Sequence, residues 1–501
     1  MIEPTGAGRV TPEEAVRCLG ELMIVGVPGT EMTPEVEERL RQIAPSGVLF
    51  FASNFADAGR AARYTRAVHA IVGSAALPAL VAADEEGGMV SQLSGFWEVP
   101  PSARAVASSG GPPLVKDLAA RTARRLLALG VNLDFAPCVD IHSNAKNPVI
   151  GIRSFGTAPS QVTACGRAAI EGMMSAGVIP AAKHFPGHGD TSLDSHVALP
   201  RLDLTIEQLS LRELRPFEGA IQAGVPMIMT AHVLVPALDA DPRRTATLSP
   251  AVVTGLLREK LRFGGVVVTD ALEMAGATTL GSHGEVAVRA VEAGVDLLLY
   301  SKLEPGPGET LAALREAVDS GRLTPERVAA SVGRIRALRA GRAARPPDFS
   351  LSLEREARDL IPGAELERIA EGAIRVLRQG AGGVPLRSPI EVLEVNRPES
   401  RAGIADLLRA HGATAREHGV NLETWPRRIE GSALMTVAAR ASVSSEQEAT
   451  ARAWLRRFPE TVTVASLNPH VADDWPEVRT LLASFDNMPA TRRALAKRLV
   501  G

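Results

Sequence analysis

The chain alternates short, continuous apolar runs with longer amphipathic stretches. Eight runs have the length of a strand: Glu21–Val27, Gly47–Phe51, Leu77–Ala83, Val131–Ala136, Val178–Ala182, Pro226–Thr230, Gly265–Thr269 and Val295–Tyr300. Most are rich in Val, Ile and Leu without polar alternation, the pattern of parallel strands covered on both faces. Between them, Ser102–Leu129, Ser160–Ala176 and Thr205–Gly224 repeat apolar residues at helical spacing. Gly130, Gly177, Gly224 and Gly294 stand where such helices end, a position that favours a left-handed residue. Eight strand–helix units predict an α/β fold, a (β/α)8 TIM-type barrel. A doubly wound open sheet has the same periodicity and remains the structural alternative.

The barrel pattern fades near Arg342, where Gly341-Arg342-Ala343-Ala344-Arg345-Pro346-Pro347 has the composition of a linker. Beyond it the pattern predicts a helix around Glu365–Arg378 and strands near Ile390–Val395, Ala433–Ala438 and Thr461–Leu467. Further helices are expected near Ser444–Phe458 and Trp475–Leu482. The expected organisation is a catalytic barrel over residues 1–345, a linker over 346–362 and a smaller α/β sandwich over 363–501.

Composition narrows the partners. The 501 residues are 45% hydrophobic and 22% charged, with a net charge of −2, so no strong field attracts nucleic acid or an anionic membrane. Three cysteines far apart argue against a disulfide framework and fit a reducing compartment. Met1 to Pro12 carries no basic segment followed by an apolar one, and no run reaches the roughly 18 apolar residues of a membrane span. These features lead to the expectation of a cytoplasmic protein. They leave the oligomeric state unspecified and homo-oligomerisation open.

The chemistry concentrates where a barrel would place it. Lys183-His184-Phe185-Pro186-Gly187-His188-Gly189-Asp190-Thr191-Ser192-Leu193-Asp194-Ser195-His196 follows one apolar run directly. Asp84, His232 and Asp270 each follow another, and Arg153 lies in the loop after Val131–Ala136. Titratable groups at the carboxyl ends of barrel strands are where such folds keep their chemistry. Asp270 is the candidate nucleophile, since glycoside cleavage needs a carboxylate to trap an oxocarbenium-like centre. Asp also caps helices at such junctions, and that reading stays open. In Asp194-Ser195-His196 an imidazole with an ordinary pKa of about 6.5 has a carboxylate two residues away, which suits an acid/base; a solvated loop histidine is the plain alternative. Gly187 and Gly189 are expected to make that loop pliable. Asp84, Arg153, Lys183 and His184 are candidate hydroxyl-binding groups, each of which also fits a structural ion pair. His232 suits either the barrel mouth or a satisfied core position. Metal binding by His184, His188 and Asp190 needs a helix that Pro186, Gly187 and Gly189 disfavour, so neither a metal nor a cofactor is expected.

Asp84-Glu85-Glu86-Gly87-Gly88, Leu133-Asp134-Phe135-Ala136-Pro137, Asn147–Gly156, Lys183–His196 and Thr269-Asp270-Ala271-Leu272 together resemble bacterial N-acetyl-β-glucosaminidases of glycoside hydrolase family 3. The likeness runs through the whole barrel in order. It implies a retaining mechanism with Asp270 as nucleophile and His196, paired with Asp194, as acid/base. It also implies that Asp84, Arg153, Lys183 and His184 contact the cleaved sugar, and that the tail from about Leu360 is the α/β sandwich many members carry. One departure is that Met89 and Gln92 stand where the family commonly places arginines, leaving Gln92 as a neutral substitute in sugar binding.

The resemblance implies exo-acting release of terminal β-linked N-acetylglucosamine from a small carbohydrate substrate, with cell-wall (peptidoglycan) fragments as one source. A phosphorylase on the same fold and an inactive sugar-binding module are the two alternatives.

Overall fold

The structure is a computed structural model and describes residues 10–192, 199–341, 360–380, 383–397, 401–419, 424–440 and 442–501. Eight parallel strands form its first sheet: β1 (Met23–Gly26), β2 (Gly47–Leu49), β3 (Leu80–Ala83), β4 (Leu133–Asp134), β5 (Ile179–Phe185), β6 (Met227–Thr230), β7 (Val266–Thr269) and β8 (Leu298–Tyr300). Neighbours run β7-β6-β5-β4-β3-β2-β1-β8, every pair in sequence order and parallel. The two ends meet where Asp296 and Leu297 donate to the Val267 carbonyl and Thr269 donates to that of Leu297. The sheet is therefore wrapped into a barrel, and the open doubly wound alternative is excluded. Every residue of the eight strands is buried, which explains why the sequence shows continuous apolar runs instead of alternation.

Gly130, Gly177, Gly224 and Gly294 all adopt positive φ at the ends of their helices, as their placement predicted. The long segment Ala103–Ala128 departs from the expected single helix. Gly111 has φ 60° and ψ −158° and is followed by Pro112 and Pro113, which break it into two helical pieces. A proline cannot supply the amide that the preceding turn needs, and only glycine enters that backbone region without cost.

The second sheet holds β9 (Arg375–Arg378), β10 (Ile390–Val395), β11 (Ala415–His418), β12 (Ser432–Val437), β13 (Val462–Ala465) and β14 (Thr480–Ala483), ordered β11-β10-β12-β13-β14-β9. Five strands are parallel, and β9 is antiparallel to β14. Alternate residues serve two cores: Leu393, Val395, Met435 and Val437 face Trp454 and Trp475, whereas Ile390, Val392, Leu434 and Val464 face Leu408 and Leu499. Helices thus cover both faces, giving the expected α/β sandwich.

Two sequence expectations in this region are corrected. The helix expected over Glu365–Arg378 is Gly363–Ala373, after which the chain enters β9. The helix expected over Trp475–Leu482 is instead a loop leading into β14, because Leu481, Leu482 and Ala483 are buried between β13 and β9. A short apolar run has no periodicity that separates strand from helix. The expected linker, 346–362, lies largely outside the described residues.

The two cores are joined. Ile361, Leu366, Ile369, Met488 and Ala490 belong to the same apolar cluster as the barrel. Arg121 grips Glu365 through both carboxylate oxygens at 2.6 and 2.7 Å. Buried Ser102 caps the helix from Ala103 and donates its hydroxyl to the Phe485 carbonyl. No helix among the described residues is long and apolar enough to cross a membrane.

Candidate active site

The carboxyl ends of the barrel strands surround a cavity of about 400 Å³. Asp84 leaves β3, Lys183 and His184 end β5, and Asp270 follows β7 directly. The segment after β4 brings in Arg153 from a single helical turn, Gly151–Arg153. These five residues and Gln92 all line the cavity. Asp194 and His196 lie outside the described residues.

The cavity floor is an ionic lattice. Lys183 Nζ lies 2.6 Å from Asp84 Oδ1 and 2.6 Å from Glu86 Oε1. Arg153 clasps Glu86 with Nη2 and Nε at 2.8 and 2.9 Å. Lys183 and Glu86 are almost completely enclosed, with side chains only 2% and 3% exposed, so neither charge would persist alone. Burial opposes the ionised form of Glu86, but Arg153 and Lys183 outweigh it and hold the carboxyl far below the ordinary carboxylate range. Burial likewise opposes the Lys183 ammonium, and Asp84 with Glu86 reverses the effect, raising its pKa. Asp84 is the partner left partly exposed, which suits a carboxylate offered to a ligand's hydroxyl groups.

His184 is oriented by a carboxylate that sequence reasoning missed. Asp140 Oδ2 accepts from His184 Nδ1 at 2.7 Å and from the His184 amide at 3.1 Å. Its Oδ1 accepts the His188 amide at 2.7 Å. Burial raises the Asp140 carboxyl, and His184 chiefly lowers it below its usual value. With Nδ1 engaged, Nε2 is the nitrogen turned toward Arg153, 3.5 Å away. Glu86 and Asp140 each follow the carboxyl end of a predicted strand, and the two rim cations required counter-charges. Those are the signals by which both could have been found.

Asp270 Oδ1 accepts the Ala271 amide at 2.8 Å. The next helix, Ala275–Thr278, has Met274 at its N-cap, so the helix-capping alternative for Asp270 fails. Burial raises the Asp270 carboxyl, while His184, His232 and the Ala271 amide outweigh it and keep it below the ordinary value. His232 does not line the cavity; this corrects its expected place among the sugar contacts. It is 1% exposed, with Nε2 3.1 Å from the Ala271 carbonyl and Nδ1 3.1 Å from Thr247 Oγ1. Burial lowers its pKa, so a neutral imidazole braces the turn that carries Asp270.

Gln92 lines the cavity but its amide is committed to backbone: Oε1 accepts the Ala52 amide at 2.7 Å and Nε2 donates to the Asp84 carbonyl at 3.1 Å. It fixes the loop that bears Asp84. Met89 packs against an apolar cluster shared by Ile152 of the barrel and Leu467 and Phe485 of the second domain.

The start of the histidine-rich loop is clamped. Asn147 Nδ2 donates to the His188 and Thr191 carbonyls at 2.8 and 2.9 Å, and Asn144 Nδ2 to that of Asp190 at 3.2 Å. A methyl group on Gly189 would come within 1.7 Å of the Ile141 carbonyl oxygen. This glycine therefore serves close approach, not the pliability expected of it. His188 is pushed down to about 4 by burial and by His184, so it is neutral near pH 7. Asp190 turns to Ser143 and Arg212, away from His184 and His188, so the metal alternative read from the sequence does not converge. Among the described residues, the donor set that does converge is Cys138, Asp140 and His184, within 4.8 Å of one another, and hydrogen bonds already link those atoms.

Fold and rim together give a barrel whose cavity combines carboxylates, cations and an imidazole. The family model for the glycosyl hydrolase family 3 N-terminal domain matches residues 17–338. The chain belongs to that family. It is 33% identical over 394 residues to a beta-hexosaminidase A of Pseudoalteromonas piscicida, covering 74% of this chain and 65% of that one. It is 35% identical over 295 residues to a beta-hexosaminidase of Idiomarina loihiensis, covering 58% and 87% of the two chains. Among solved structures, a glycoside hydrolase family 3 beta-N-acetylglucosaminidase from Paenibacillus sp. str. FPU-7 superposes with a TM-score of 0.83 at 33% identity, over 97% of this chain and 96% of that one.

Two predictions follow from this geometry. Asp140→Asn replaces the acceptor that fixes His184, and kcat/KM is expected to fall by on the order of 100-fold, the scale seen for other carboxylate supports of a functional histidine. Steady-state kinetics on the folded variant checks it. Glu85, buried beneath Gln92, has its pKa raised by burial from 4.5 to about 7. The folded protein thus keeps a proton that the unfolded chain releases, so this contribution to stability is full below pH 4.5 and is lost as pH rises through about 7. Relative to wild type, Glu85→Gln is expected to gain about 3 kcal/mol on going from pH 4.5 to above 7, read by urea unfolding at both pH values.

Proposed function

We propose that this chain is a retaining, exo-acting N-acetyl-β-D-glucosaminidase that removes terminal β-linked N-acetylglucosamine. The observation that carries this reading is the Asp270 carboxylate at the end of β7, in one cavity with Asp84, Arg153, Lys183 and His184. The names of the relatives support the same chemistry.

In this reading Asp84 and Lys183 grip adjacent sugar hydroxyls by charge-assisted hydrogen bonds, and the ionic lattice anchors both. His184, held by Asp140, presents Nε2 to the ring. Asp270, kept ionised, attacks the anomeric carbon with Oδ2 while Oδ1 stays on the Ala271 amide. The bond to the leaving oxygen breaks as His196, supported by Asp194, delivers a proton to that oxygen. Water then attacks the glycosyl ester and gives its proton to His196, releasing the sugar and the Asp270 carboxylate with net retention.

A chromogenic N-acetyl-β-glucosaminide tests the assignment. Turnover by wild type is expected to drop by at least about 10⁴-fold in Asp270→Ala, as for loss of a covalent nucleophile; comparable activity in that variant would refute the role. His196→Ala is expected to slow substrates with poor leaving groups much more than activated aryl glycosides, because only the former need protonation. Kinetics across a series of aryl leaving groups measures this, and uniform losses would remove His196 as the acid.

A further inference from the structure

One buried carboxyl near the cavity has no part in the chemistry assigned above. Glu213 closes a widened helical turn, Leu209–Glu213, and its side chain is completely enclosed. Buried Leu209, Leu214 and Phe217 seat this turn, and Phe217 packs edge-on against Phe185 of β5 with ring centres 5.2 Å apart. Glu213 is therefore fixed to the strand that carries Lys183 and His184. Its Oε1 accepts from Arg212 Nε at 2.6 Å and from Ser143 Oγ at 3.5 Å. Among the described residues its Oε2 has no hydrogen-bond partner. A methyl group on Gly187 would come within 2.9 Å of that oxygen, so the orphaned atom faces the turn after β5.

Arg212 carries the contact onward. Its Nη2 lies 3.1 Å from Asp190 Oδ2, and Asp190 Oδ1 accepts from Ser143 Oγ at 3.1 Å. Ser143, Asp190, Arg212 and Glu213 thus form a ring that ties the turn Gly187–Thr191 to the loop after β4. That turn places His188 on the cavity wall and precedes Asp194 and His196 in the chain. The bonds from Asn144 and Asn147 that also hold it do not titrate, whereas the ring does. The charged groups facing Glu213 are Arg212 from its own turn, Asp140 from the loop after β4 and Asp190 from the turn after β5. Burial pushes the Glu213 carboxyl up to about 7; Arg212 opposes the rise, and Asp140 and Asp190 add to it. An ionised Glu213 gives Arg212 a charge-assisted bond in a low-dielectric setting, and a protonated one gives only a weaker neutral acceptor.

We propose that Glu213 is a positioning residue for proton transfer: its carboxylate, acting through Arg212 and Asp190, holds the turn Gly187–Thr191 for catalysis, and its protonation loosens that hold. This rests on the hydrolase reading and adds to it a built-in dependence of activity on pH. The activity that the ring supports declines as pH falls through about 7. Stability has the opposite sign. Because the folded value lies above the ordinary 4.5, the carboxyl's contribution to stability is full below pH 4.5 and is lost as pH rises through about 7.

The test follows kcat/KM from about pH 5 to about pH 9 for two neutral aryl N-acetyl-β-glucosaminides, one with a poor leaving group and one activated. With the poor leaving group, the ratio of wild type to Glu213→Gln is expected to be about 1 at the acid end, where both carry a neutral group. It is expected to rise to about 10 at the alkaline end with a midpoint at about pH 7, the scale of one charged hydrogen bond. With the activated substrate the ratio is expected to stay at about 1 throughout, because its departure needs no proton. In urea unfolding, Glu213→Gln is expected to gain stability relative to wild type as pH rises over the same range. Activity then falls where stability rises, a split that a merely structural role does not produce. Arg212→Gln, at a partly exposed position, tests the relay separately: it is expected to show the same rise in ratio, and the double variant no further loss. A ratio flat with pH, equal losses on both substrates, or additive losses in the double variant overturns the proposal. Absence of wild-type turnover on the activated substrate refutes the hydrolase reading, and the proposal with it.

Discussion

Lys183 and Glu86 meet in the barrel mouth with almost no exposure to water, and neither could stay charged without the other. Moving a single ion of this size out of water costs several kcal/mol even after relaxation, and one partner alone rarely offsets it. Here each charge has two opposite neighbours: Glu86 touches Lys183 and Arg153, and Lys183 touches Glu86 and Asp84. The lattice as a whole is neutral, so it is tolerated, and its one partly exposed member is Asp84. A carboxylate that is anchored and still reachable is what a polyhydroxylated ligand requires. The other parts of the site build on that arrangement. Arg153 is pulled in from the loop after β4 by Glu86, His184 is set by Asp140, and Gln92 secures the Asp84 loop from behind.

How far this was legible in the sequence follows from what each signal encodes. Continuous apolar runs encode burial on both faces, so the eight barrel strands and the rim positions of Asp84, Lys183, His184 and Asp270 could be read directly. Barrel closure could not, because the pairing of β7 with residues 296–297 is a long-range contact with no local signature. His232 occupies the same register after its strand as a rim residue, yet its ring turns to Thr247 and the Ala271 carbonyl. Position along a strand fixes height in a barrel and leaves direction undetermined. Glu86 and Asp140 were missed for a related reason. Each was one acid among many in the sequence, and only the fold shows which cations it faces.

The errors in the second domain have a different origin. β14 is a short buried run beside a tryptophan and a proline, and such a run reads equally well as a helix until its neighbours are known. β9 follows a helix with only Ile374 between them, as an antiparallel addition to an otherwise parallel sheet. Glycine was misread at the histidine-rich loop because two physical uses share one residue. At Gly189 the missing side chain admits the Ile141 carbonyl, and the chain there is held by Asn144 and Asn147.

The second domain is more than a neighbour of the site. Its Phe485 carbonyl accepts the hydroxyl of Ser102, the cap of the helix from Ala103, and Asp486 accepts the Ser102 amide. Its Leu467 shares an apolar cluster with Ile152, which belongs to the same helical turn as Arg153. Its Asn468 bonds the barrel loop that in turn clamps Asp190 and Thr191. Three separate contacts therefore tie the second domain to the barrel, and the one between Leu467 and Ile152 lies on the cavity wall itself, one residue from Arg153. Arg153 is held from inside by Glu86, and the adjacent Ile152 is held from outside by the domain interface. With both neighbours constrained, the guanidinium keeps its orientation without help from a ligand. A barrel stripped of this domain would retain the ionic lattice but lose one wall of the cavity, and with it the apolar support beneath that turn.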